Sequence, residues 1–97
     1  MMNAVIGVPW FKRDQYQRIQ EVMADAHLLP STFDKWLDRA EDLIKDIRRL
    51  GSRPLRVHID PDVFAEWCRL QDCRPDGKAR LEFARVIAEE QLSAQGC

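Results

Sequence analysis

The chain has 97 residues, 45% of them hydrophobic and 32% charged, and its 15 basic and 16 acidic side chains leave a net charge of −1. That length holds one domain, residues 1–97, near the lower limit at which an apolar core suffices without metal or cross-links; the composition excludes a disordered or low-complexity chain. Charge is also even along the chain, with 8 basic and 8 acidic groups in residues 1–51 against 7 and 8 in residues 52–97, so neither half carries the basic footprint that phosphate neutralisation requires.

Met1 to Pro9 has neither a basic start nor a long apolar run, which predicts no signal peptide and no membrane span, and a cytoplasmic protein. Within it, Val5-Ile6-Gly7-Val8 is short, apolar and rich in β-branched residues. It reads either as a strand or as an arm lying on the core, with the strand preferred. Trp10 and Phe11 follow as large anchors. From about Arg13 to Ala26, the apolar residues Tyr16, Ile19, Val22, Met23 and Ala26 recur at helical spacing and predict a first helix, which Pro30 ends.

Ser31 to Asp34 resembles a capping box, with Ser31 as the expected cap of a second helix. Phe33, Trp36, Leu37, Ala40, Leu43, Ile44, Ile47 and Leu50 form its continuous stripe, and Gly51 stands where a left-handed C-cap belongs. The stripe covers fewer than three heptads, so one face of a compact domain is favoured over a coiled coil.

Arg53 to Asp62 is where the pattern changes period. Leu55, Val57 and Ile59 alternate with Arg56 and His58, which predicts a strand with one apolar face and one basic face. Asp60-Pro61 stops it and opens a third helix, from Pro61 to about Gln71, with Trp67 as its anchor. Asp72 to Gly77 is a turn in which Asp76 is placed to cap a fourth helix, from about Gly77 to Ser93. The expected fold is therefore α+β and mostly α: four helices, one central strand and an optional N-terminal one, in the order (β)-α-α-β-α-α.

Little in this order carries chemistry. Cys68, Cys73 and Cys97 lack the paired spacing of a structural zinc site; Cys68 reads as a buried thiol, and Cys73 and Cys97 as exposed ones. His27 and His58 have no second ligand at helical spacing. Asp60 and Asp62 are explained by the start of the third helix. No catalytic constellation is visible, and neither a cofactor nor a metal is expected.

The run from Val57 to Cys68, with Pro75 to Ala84 after it, resembles a group of short uncharacterised bacterial proteins, a similarity that implies no activity. Strand, helix, turn and helix in residues 54–94 also resemble the ribbon-helix-helix unit of bacterial repressors and antitoxins. That resemblance implies strands from two copies paired into a ribbon, Arg56 and His58 reading bases in the major groove, and the start of the fourth helix near Lys78 meeting phosphate. Arg74, Lys78, Arg80 and Arg85 stand near that start, but acidic residues are interspersed and predict a solvated face. The leading expectation is a non-enzymatic interaction module that dimerises, with Arg56, His58, Lys78 and Arg80 as candidate contacts. Another protein could be the partner, and a DNA-binding regulator or antitoxin is the alternative. An unpaired strand is an association edge, so its partner, in a second copy or in Val5 to Val8, is the open question.

Overall fold

The two β-branched stretches find each other within the chain. In a computed structural model, which describes residues 4–95, β1 (Val5–Trp10) and β2 (Arg53–His58) form a two-stranded parallel sheet in register from Val5 opposite Arg53 to Trp10 opposite His58. Parallel pairing requires a long crossover. It is supplied by a 3-10 turn at Arg13–Gln15, α1 (Tyr16–Val22), a second 3-10 turn at Ala26–Leu28 and α2 (Phe33–Arg49); α3 (Pro61–Leu70) and α4 (Gly77–Gln95) follow β2. This is the expected mostly-α order, with the optional N-terminal strand present.

Both strands contain a proline, and the ladder accommodates both. Arg53 N donates to Ala4 O at 2.8 Å and Ile59 N to Trp10 O at 2.9 Å, so odd residues of β2 face even residues of β1. Pro9 and Pro54 have the opposite parity, and their missing N–H groups would have pointed away from the partner strand. The prolines thus cost no sheet hydrogen bond and interrupt the outer edge of each strand, where further pairing would begin.

The sheet is sandwiched between α4 and α2. On one face, a Cβ at Gly7 would lie 2.5 Å from the Ala84 carbonyl oxygen, so only glycine lets α4 lie this close to β1. On the other face Val8 packs with Ile44 and Ile47 of α2, and Trp10 covers the contact. Phe11, Tyr16, Ile19, Trp36, Val57, Ile59, Phe64, Phe83 and Ala84 make the main core. Trp36 is its aromatic hub, with ring centroids 4.8 Å from Phe11, 5.1 Å from Trp10 and 5.3 Å from Phe33. Trp67 is a correction to the expected anchor: it is half-buried, edge-on to Phe83 at 5.3 Å, while Phe64 and Cys68 are the buried residues of that stripe.

Helix ends follow local chemistry with two further corrections. The first helix is shorter than its apolar periodicity predicts, because Met23 is extended and the Ala24 N–H is taken at 2.8 Å by the Pro75 carbonyl, a tertiary partner that ends the helical ladder. The cap of α2 is Thr32, not Ser31: Thr32 Oγ1 accepts from Lys35 N at 3.2 Å, and Asp34, the expected box partner, instead bonds Arg13 at 2.6 Å. Gly51 is left-handed at φ 89°, and Asp60 Oδ1 accepts from Asp62 N and Val63 N, both at 3.0 Å. Asp76 Oδ1 accepts from Ala79 N at 3.0 Å, as its position predicts. None of the described helices is long and apolar enough to cross a membrane.

Candidate functional site

The polar face of β2 holds Arg56 and His58 together, two residues apart and both exposed, as the alternation predicts. Each already has a partner in the chain. The Arg56 guanidinium lies 4.6 Å over the Trp10 ring, an exposed cation–π contact. His58 Nε2 is 2.7 Å from Gln15 Oε1, and Gln15 Nε2 donates to Asp60 Oδ2 at 3.4 Å. With the amide oxygen accepting, the hydrogen resides on Nε2. Burial and the nearby Lys12 ammonium hold His58 below the usual imidazole range, outweighing Asp60 and Asp14, so the ring is neutral at neutral pH.

The other two candidates separate. Lys78 is exposed in the first turn of α4, on the wall of a recess of about 520 Å³ between α3 and α4 that Trp67, Gln71, Cys73, Arg74, Asp76, Ala79, Glu82 and Val86 also line. Arg80 is a correction, because it is buried and belongs to no solvated face. Its guanidinium binds Asp25 in two-pronged fashion, Nη1 to Oδ1 at 2.8 Å and Nη2 to Oδ2 at 2.9 Å. Arg80 holds the Asp25 carboxyl below the usual carboxylate range against the opposing effect of burial, and the Gly77 N–H adds to the shift. The pair ties the segment after α1 to the start of α4. Sequence offers no sign of it, since nothing local couples residues 25 and 80.

Beside this pair lies a surface that sequence reading passed over. Val8, Pro9, Phe11, Leu29, Trp36, Arg39, Ala40, Leu43, Gly77, Arg80 and Leu81 line a groove of about 340 Å³ along the outer edge of β1, between α2 and the first turns of α4. Its floor is aromatic, with Trp36 and Phe11. Its lips are Leu43, 46% exposed, and Leu81, 60% exposed. Arg39 is the one exposed charge among the lining residues, and it makes no ion pair within the described chain. The apolar stripe of α2 contained Leu43 but placed it in a core.

Among the described residues no three His, Cys, Asp or Glu side chains gather into a cation-binding set. Against known proteins, the chain matches no family model, no curated protein and no solved structure. The geometry of the groove is therefore what bears on function.

Proposed function

We propose that this chain is a non-enzymatic interaction module that works as a homodimer, two copies docking groove to groove across the outer edge of β1. The observation that carries the reading is the apolar groove with an exposed leucine on each lip, Leu43 from α2 and Leu81 from α4. A two-fold interface must be complementary to itself, and this patch presents both the recess and the side chains that fill one. Arg39, the one exposed charge in the lining, has no ion pair within the described chain, and Asp38 and Asp42 on the same helix have none either, so a second copy offers both signs of charge beside the groove. Strand addition is the poorer route to a dimer, because Pro9 and Pro54 interrupt the outer edges. Free Cys68 and Cys73 thiols fit a reducing compartment and support a cytoplasmic location.

Duplex DNA binding draws less support. Arg56 and His58 are engaged by Trp10 and Gln15, β2 has its partner strand in the same chain, and Arg80 is sequestered by Asp25. The test of the dimer is light scattering across a concentration series. The wild type should have the mass of two chains and a melting temperature that rises with concentration, and Leu43→Asp with Leu81→Asp should give one chain that still melts cooperatively, at a temperature independent of concentration. A wild type that stays monomeric, or a double variant that stays dimeric, overturns the reading.

A further inference from the structure

The end of α3 brings two thiols together. Asp72, the residue after the helix cap, is left-handed at φ 55°; its N–H reaches back to the Arg69 carbonyl at 3.3 Å, and the Cys73 N–H to the Cys68 carbonyl at 3.0 Å. These two bonds define a Schellman end, in which the side chain just past the left-handed residue packs on the one five positions earlier. Here those two residues are Cys73 and Cys68, with their backbones in direct contact and their thiols near enough to interact.

Their surroundings divide the chemistry between them. Cys68 is buried, and that burial, with the Cys73 sulfur and Asp76 adding to it, pushes its thiol up to about 12. It is shielded from reagents in solution. Cys73 is exposed on the wall of the α3/α4 recess and open to reagents in solution, with Arg74 and Lys78 balanced there by Asp76 and Glu82.

We infer that Cys68 and Cys73 form a reactive thiol pair, with Cys73 the entry point for low-molecular-weight disulfides and Cys68 the resolving group. In the first step the Cys73 thiolate attacks one sulfur of a disulfide RSSR; a Cys73–SR bond forms, the S–S bond of the reagent breaks, and RS⁻ leaves. In the second, Cys68 attacks the Cys73 sulfur as its proton passes to the departing thiolate, closing a Cys68–Cys73 bridge and releasing RSH. Two protein thiols are oxidised and one external disulfide is reduced to two thiols. The exchange needs no movement of α3 relative to α4, and it locks the turn that forms one wall of the recess.

The probe is oxidised glutathione, applied at mildly alkaline pH to the full chain carrying Cys97→Ser and followed by peptide mass mapping after acid quench. The expected course is a transient glutathione adduct on Cys73, then a Cys68–Cys73 cross-linked peptide. Adding Cys73→Ser should abolish uptake of glutathione, and adding Cys68→Ala should stop the reaction at the Cys73 adduct. Because Cys68→Ala can loosen the core, the map of the Cys97→Ser protein decides without it. Glutathione attached to Cys68 in the Cys73→Ser protein, a Cys73 adduct that persists beside a free Cys68, or closure no faster in the folded protein than in urea would overturn the inference.

Discussion

The two flanks of α4 differ in what lines them, though the same few turns of helix serve both. Toward α3, Trp67 and Val86 are surrounded by Gln71, Arg74, Lys78 and Glu82, so water in the recess finds polar partners. Toward β1 and α2, the neighbouring residue Leu81 joins Val8, Pro9, Phe11, Leu29 and Leu43, and the one buried cation, Arg80, is already satisfied by Asp25. Exposed apolar surface costs about 25 cal/mol for each Å² left in water, so covering either flank gains alike; what differs is the number of polar groups a partner would strip of water, many toward α3 and few toward β1 and α2. A shift of three residues, from Lys78 to Leu81, separates a wall that mixes charges with apolar surface from one that is almost wholly apolar.

The contrast extends to stability. Trp36, buried beneath the apolar groove, contacts Trp10, Phe11 and Phe33, whereas Trp67 borders the wet recess and is half-buried. Trp36→Ala should cost about 3–5 kcal/mol in denaturant melts. Trp67→Ala should cost about half of that, because part of its ring is solvated in the folded state. Equal losses would erase the difference drawn between the flanks.

Next in size is the ion pair between them. Arg80→Leu leaves Asp25 desolvated without its partner and should cost about 3 kcal/mol in the same melts. The pair also gives the fold an acid limb. Because the folded Asp25 carboxyl titrates below its unfolded value, its contribution is whole above the ordinary carboxylate range and is lost as pH falls through the lower folded value. Arg80→Leu should flatten that part of the stability profile; a variant as acid-sensitive as the wild type would show that the pair does not set it.

The smallest effect belongs to the strand face that carries neither flank. Arg56→Ala with His58→Ala should change stability by no more than about 1 kcal/mol, the loss of an exposed cation–π contact and one surface hydrogen bond. In gel-shift titrations the wild type should show no salt-sensitive binding to duplexes from its own upstream region. Sub-micromolar, sequence-selective binding abolished by the double variant would move function to this face.

Much of the fold was legible because it rests on local chemistry. The alternation Leu55, Val57, Ile59 gave β2, Asp60-Pro61 and Asp76 gave two helix starts, and Gly51 gave a helix end. What escaped depends on contacts distant in sequence. The break after Val22 comes from the Pro75 carbonyl, the burial of Arg80 from Asp25, and the half-exposure of Trp67 from the width of the α3/α4 recess. Gly7 did carry a signal, since a lone glycine inside a β-branched run marks close backbone approach, and Ala84 is what approaches. Of the candidate contacts, the strand pair Arg56 and His58 was placed correctly on one face by period alone. The groove could not be read, because Leu43 and Leu81 satisfy the same periodicity as the core residues beside them and only packing distinguishes lip from floor.

The most direct test of the groove as a self-docking surface is an isotope-filtered NOE experiment on an equal mixture of labelled and unlabelled protein. The groove-to-groove dimer predicts intermolecular NOEs from the Leu43 and Leu81 methyl groups to aromatic protons of Trp36 and Phe11 in the other copy, and none from β2. Intermolecular NOEs confined to other surfaces, or a dimer by mass with none at Leu43 and Leu81, would contradict it.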